Sequence, residues 1–168
     1  MTQANRRLDA LGAIAYLADR ADVDAGRIGL IGWSNGGSTV LAATNLRHRD
    51  VAGAQTQPAF AVAFYPGCDA ELRRGYEAAV PLLMLVGQSD DWTPAAPCRA
   101  LQREAAGTSR PELVGYAGAY HGFDSDQPVR IRKDVPGGAN PGQGVHVGGN
   151  GAAWKASQER LLEFVGRY

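Results

Sequence analysis

Arg27-Ile28-Gly29-Leu30-Ile31-Gly32-Trp33-Ser34-Asn35-Gly36-Gly37-Ser38-Thr39-Val40-Leu41-Ala42-Ala43 runs from a short apolar segment through a Gly-x-Ser-x-Gly pentapeptide into residues that can continue as helix. A serine between a strand and a helix in this pattern sits on a sharp, strained bend. Glycines flank it because a Cβ there would collide with the neighbouring strand or helix. The bend lifts the hydroxyl of Ser34 clear of a sheet. It also sets the serine near a helix N-terminus, where free backbone N–H groups and the positive end of the helix dipole favour an oxyanion. An ordinary Gly-rich turn is the competing reading. The strand before and the helix after favour a nucleophile elbow, with the backbone N–H of Asn35 as an oxyanion donor.

Outward from the elbow, the pattern alternates helix and strand. Leu8, Leu11, Ile14, Ala15, Tyr16 and Leu17 recur at helical spacing between Thr2 and about Arg20, which reads as an amphipathic helix. The expected order continues with a strand from Arg27 to Trp33, a helix from Asn35 to about Leu46, and strands from Phe60 to Tyr65 and from Pro81 to Gly87. A helix with Pro94 at its start runs to about Ala106, followed by a strand from Glu112 to Tyr116 and a closing helix from Ala152 to Val165. The apolar runs do not alternate, as expected for strands buried on both faces of a parallel sheet with helices on each side. The fold class is therefore α/β, a mostly parallel sheet of about four strands flanked by helices. Residues 122–151, with Pro136-Gly137-Gly138, Pro141-Gly142 and Gly148-Gly149-Asn150-Gly151, read as one long loop inside a single domain spanning 1–168.

A length of 168 residues with 45% apolar content suffices for one domain with its own core. Lys plus Arg and Asp plus Glu are 17 each, so no net field steers a polyanion to this surface, and nucleic acid is excluded as an expected partner. The longest nearly continuous apolar stretch, Ala78 to Val86, is far short of the roughly 20 residues a membrane helix needs, so no membrane association is expected. The first residues, which include Arg6, Arg7, Asp9, Asp19 and Arg20, lack the unbroken apolar region of a secretory signal. The compartment stays open between cytoplasm and, for a product processed from a longer precursor, periplasm or exterior. Cys68 and Cys98 have neither zinc-ribbon nor redox-pair spacing, and no metal site is expected. Both fall just beyond strand ends on the same sheet edge, which leaves a disulfide and two unpaired thiols as alternatives.

A serine hydroxyl needs a histidine to take its proton and a carboxylate to orient that histidine. The strand Pro81 to Gly87 runs into Gln88-Ser89-Asp90-Asp91-Trp92-Thr93-Pro94, which puts an acid in a turn on the same edge as Ser34. Asp90 is the chosen acid, while Asp91 is expected to point away or cap the following helix. Of the three histidines, His121 follows the last strand and precedes Gly122, a small neighbour that lets its ring reach across the edge. His48, within Arg47-His48-Arg49-Asp50, reads as a solvated surface residue, and His146 reads as a residue of the long loop that could line a pocket.

With the chain order Ser34, Asp90, His121, the string Phe64-Tyr65-Pro66-Gly67-Cys68 and the stretch from His121 to Gly149, the chain resembles the dienelactone hydrolase family of α/β-hydrolases, in a serine-bearing branch. The resemblance runs nearly end to end. It implies a partial α/β-hydrolase fold, because members of the family carry further strands before the helix that opens this sequence. One of those strands pairs with the elbow strand and ends in a loop donating the second oxyanion N–H. Loss of one such donor costs about 100-fold to 1,000-fold in rate. The family's namesakes carry cysteine where Ser34 stands, so lactone specificity does not carry over.

The expected function is hydrolysis of small carboxylic esters through Ser34, His121 and Asp90, by way of an acyl-enzyme and without a cofactor. Trp33, Trp92, Tyr120 and Phe123 flank these positions and are candidates for an apolar acyl site, with plain core roles as the alternative for each. The open edge at Arg27 to Trp33 calls for a cover, and a homodimer is the expected one. Cleavage from a longer enzyme is the other explanation. The alternative function is a non-catalytic remnant serving as an assembly or binding module. The missing strands argue for it, and retention of an elbow that stores about 1 to 3 kcal/mol of strain argues against it.

Overall fold

The computed structural model describes residues 2–135 and 137–168; Pro136, part of the expected Pro136-Gly137-Gly138 turn, lies outside them. Helix α1 (Gln3–Ala18) leads through a 3-10 turn to β1 (Gly29–Trp33) and α2 (Asn35–Ala43). Then come α3 (Arg49–Ala52), β2 (Phe60–Phe64), α4 (Asp69–Arg74), β3 (Leu82–Gly87), α5 (Ala95–Glu104) and β4 (Glu112–Tyr116). The last elements are β5 (Arg130–Arg132), β6 (Val145–Val147) and α6 (Gly151–Val165).

Strands β1 to β4 form one sheet in sequence order, and every neighbouring pair is parallel. The apolar sequences of β2 and β3 are buried at every position, which is what burial under helices on both faces requires. Alternate residues then feed two cores. Ala61, Ala63, Leu82, Met84 and Val86 pack with Val40, Leu41 and Leu101 from the α2 and α5 side. Val62, Phe64, Leu83 and Leu85 pack on the opposite face with Phe123 and Phe164 of α6. In register, Trp33 lies opposite Phe64, Phe64 opposite Leu85, and Gly87 opposite Tyr116. The turns carrying Ser34, Asp90 and His121 therefore all leave the carboxyl edge of one sheet, where parallel sheets collect their functional groups.

Several local expectations are corrected. The elbow helix stops at Ala43 because the chain beyond it bonds elsewhere: Thr44 O accepts from Ala79 N at 2.8 Å, Leu46 N donates to Glu77 O at 2.9 Å, and Asn45 Nδ2 donates to Glu71 at 2.6 Å and to Gly75 O at 2.9 Å. The amphipathic helix α1 packs on α2 and buries Ile14 but leaves Leu8 and Tyr16 exposed. Residues 122–151 are not all loop, since β5 and β6 pair antiparallel with Arg130 opposite Val147 and Arg132 opposite Val145. At the end of that hairpin Gly148 has φ +147°, and a Cβ on it would lie 2.7 Å from Pro128 O. Glycine there marks close approach of two backbone segments. Of the two alternatives for the cysteines, the structure has the disulfide, joining Cys68 at the start of α4 to Cys98 in α5. Among the described residues no helix is long and apolar enough to cross a membrane.

Candidate active site

Ser34 occupies φ 53° and ψ −116°, a conformation that L-residues rarely adopt. Bonds on both sides hold it there. Its N–H extends the sheet ladder to Phe64 O at 2.9 Å, and its carbonyl accepts from Ser38 N at 2.9 Å as the first turn of α2. Gly32 is what allows α2 to start so close to β1: a Cβ on it would lie 2.4 Å from Gly36 O, a backbone atom with no freedom to move aside. Gly36 differs from the expectation, since nothing lies within 4 Å of where its Cβ would be. The steric demand falls on only one of the two glycines in the pentapeptide. Gly32→Ala is expected to cost about 3 kcal/mol of unfolding free energy in urea, whereas Gly36→Ala stays within about 1 kcal/mol. Equal midpoints for the two variants would contradict this origin of the bend.

Asp90 lies in the turn after β3 and is 5% exposed. Its Oδ1 accepts the backbone N–H groups of Trp92 and Thr93, each at 2.8 Å, and its Oδ2 accepts the Thr93 hydroxyl at 2.9 Å. The same Oδ2 is 2.9 Å from His121 Nδ1. A carboxylate only accepts, so Nδ1 carries the imidazole proton and Nε2 is left as a base. Nε2 is 2.8 Å from Ser34 Oγ. Tyr65 and Trp92 wall the imidazole at ring separations of 4.7 and 4.6 Å. From behind, Gly148 N donates to His121 O at 3.0 Å. The arrangement can relay the Ser34 proton to a histidine whose charge a buried carboxylate stabilises.

Two contributors escaped the sequence. The Thr93 hydroxyl, with its one proton on Asp90 Oδ2, lies 3.1 Å from Tyr65 O and 3.0 Å from His121 Nδ1, which seats the acid turn close against the end of β2 beside the elbow. The spacing Asp90-x-x-Thr93 carries a signal for it, since a hydroxyl three residues after a turn aspartate can bond that carboxylate. Tyr65 has φ 35° and donates its phenol hydroxyl to Asp124 Oδ1 at 2.8 Å. Burial first, and then the bond to Asp124, hold that phenol far above its ordinary range, so it stays a donor. It thereby ties the loop after β2 to the segment following His121.

The remaining candidates fall in different places. The N–H of Asn35 is at the first position of α2, where an α-helix offers it no partner of its own. The Asn35 side chain accepts from Gln3 Nε2 of α1 at 2.6 Å. A cavity of about 220 Å³ adjoins His121 and is lined by Trp92, Gln127, Arg130, Arg132 and Val147 among others. Of the four aromatic candidates only Trp92 lines it. Trp33 is 45% exposed and stacks on Phe64 at 5.2 Å. Tyr120 stacks on His146 at 4.8 Å. Phe123 is corrected to a core residue: it is fully buried among Phe64, Tyr65 and Tyr116 and presents no surface to a substrate.

The other two histidines are also accounted for. His48 is corrected from a surface residue to a buried one, 6% exposed, because Glu71 takes its Nε2 at 3.0 Å and shields it. His146 Nδ1 meets Asp91 Oδ2 at 2.7 Å, so Asp91 binds the hairpin and does not cap α5. Among the described residues no three His, Cys, Asp or Glu side chains group as a metal site.

A model of the dienelactone hydrolase family matches residues 1–168. Among solved structures, a Klebsiella pneumoniae protein assigned as a dienelactone hydrolase superposes with a TM-score of 0.65 at 18% identity, covering 96% of this chain and 62% of its own. The apo form of Thermogutta terrifontis esterase 2 gives 0.62 at 21% identity, covering 96% of this chain and 64% of its own. The same esterase phosphorylated by paraoxon gives 0.62 at 18% identity, with 94% and 63% covered. At these identities the likeness shows a shared fold, and the chain spans less than two thirds of the length of each of the three. No curated protein sequence matches it.

Proposed function

The chain belongs to the dienelactone hydrolase family, and from that premise we propose that it is a serine hydrolase that cleaves small carboxylic esters. The observation that carries the reading is the unbroken relay from Ser34 Oγ through His121 to Asp90, with links of 2.8 and 2.9 Å. Ser34 attacks the ester carbonyl while His121 Nε2 takes its proton, and Asp90 stabilises the resulting imidazolium. The oxyanion of the tetrahedral intermediate binds at the Asn35 N–H beside the N-terminus of α2. His121 then returns the proton to the leaving alcohol. Water, deprotonated by the same histidine, hydrolyses the acyl-enzyme and frees Ser34. The reading is supported by the fold shared with an esterase that paraoxon phosphorylates, since the activated hydroxyl proposed for Ser34 would attack phosphorus as it attacks a carbonyl.

The test is hydrolysis of p-nitrophenyl acetate and butyrate, with Ser34→Ala purified identically. Turnover confined to the chain with Ser34 is the expected result, and equal background rates would overturn the proposal.

A homodimer belongs to the same proposal. Ile31 and Trp33 are exposed on β1, one of the two outer strands of the sheet, and a second copy packed there would cover them and bring a further oxyanion donor. Sedimentation at micromolar concentration is expected to give a dimer, and a folded monomer would count against it.

A further inference from the structure

The residues adjoining the acid and the base in sequence form a second cluster of their own. Asp91, next to Asp90, accepts the His146 N–H on Oδ1 at 2.8 Å and the His146 Nδ1–H on Oδ2 at 2.7 Å. Its carbonyl accepts from Ala139 N at 2.7 Å, within the connection between β5 and β6. Tyr120, next to His121, lays its ring on the His146 imidazole at 4.8 Å and 25°. The residue after His146, Val147, forms an isolated bridge with His121. The β5–β6 hairpin pairs with itself and not with the main sheet, so these bonds fasten it to the two turns that carry Asp90 and His121.

The same hairpin walls the cavity beside His121. Arg130, Arg132 and Val147 face it, and the Arg132 guanidinium sits 5.4 Å from the Trp92 ring across from the hairpin. This wall stands on the histidine that protonates the leaving alcohol. We propose that Asp91, His146 and Tyr120 are positioning residues that hold the hairpin as the wall of the leaving-group side, so that substrate fit is set by a clamp on the catalytic turns. The proposal rests on the ester-hydrolase reading for its substrate and on the clamp geometry for its structure.

Two measurements on Asp91→Ala, His146→Ala and the double variant test it. For p-nitrophenyl butyrate each single variant is expected to raise KM about tenfold and to lower kcat less than about threefold, because the hairpin wall holds ground state and transition state alike. The double variant is expected to fall short of the sum of the singles, since the Asp91–imidazole bond is lost in both, whereas His146→Ala keeps its backbone N–H on Asp91 Oδ1 and Asp91→Ala keeps Tyr120 on His146. Amide hydrogen exchange is expected to speed up at least about tenfold in 130–132 and 145–147 of each variant, with β2 and β3 unchanged. Unchanged exchange in the hairpin overturns the proposal. So does a loss of kcat at constant KM, which would mean that Asp91 acts on the proton relay. A parent chain that hydrolyses no ester overturns the ester-hydrolase reading instead and leaves the exchange result to decide the clamp.

Discussion

Replacing Ser34 by alanine is expected to lower kcat for p-nitrophenyl butyrate by about 10⁶-fold, to the rate of the uncatalysed reaction aided only by binding, and His121→Ala is expected to do nearly the same. The two losses are equal because the hydroxyl and the imidazole act as one unit. Without His121 Nε2 at 2.8 Å the Ser34 proton has no acceptor in the site, and without Oγ the base has nothing to activate. The fold should not notice the first change. What fixes Ser34 is its backbone, through Phe64 O and Ser38 N, and alanine keeps both bonds. Urea midpoints of the parent and Ser34→Ala are therefore expected to agree within about 0.5 kcal/mol, the range of a change away from packing or strain. Residual turnover above about 1% with an unchanged midpoint would place the nucleophile elsewhere.

Asp90→Asn is expected to lower kcat by about 10⁴-fold with little change in KM. The reason lies in which oxygen must stay an acceptor. Oδ1 takes the N–H groups of Trp92 and Thr93, both at 2.8 Å, so an asparagine there keeps its oxygen on that side and turns its NH₂ toward His121. A donor facing Nδ1 makes that nitrogen an acceptor, the ring proton moves to Nε2, and Nε2 no longer accepts from Ser34. The pocket is untouched, which is why binding survives. Asp91→Asn is expected to cost less than about threefold in kcat because its partners lie on the hairpin and not on His121. If the Asp91 variant proved the more damaging, the acid would be misassigned.

The parts of this structure that were legible in the sequence are those specified locally. Strands β2 and β3 show as apolar runs because both faces are covered, and the elbow shows because a bend this sharp leaves few residue choices. Asp90 and His121 could be chosen because parallel topology sends the turns after β3 and β4 to the same edge as Ser34. What could not be read is what depends on distant partners. His48 sits between two arginines and looks solvated, yet Glu71, 23 residues away, buries it. Thr93 reaches Tyr65 and His121 across 28 positions in opposite directions along the chain. Phe123 follows closely after His121, but the turn directs it into the core beneath the site. The hairpin strands have three residues each, too few for any periodicity to appear, and Gly144, Gly148 and Gly149 beside them read as looseness where the structure has crowding.

The central claim, that Ser34 is activated by His121, is tested most directly by intact-mass analysis of the chain after incubation with a fluorophosphonate. That reagent needs a nucleophilic hydroxyl and no fitted leaving-group pocket. The expected result is one phosphonyl adduct per chain, mapped by peptide mass to Ser34, and an adduct that forms at least about 1,000-fold more slowly in His121→Ala. An unmodified chain, or an adduct at another residue that forms as fast without His121, would contradict it.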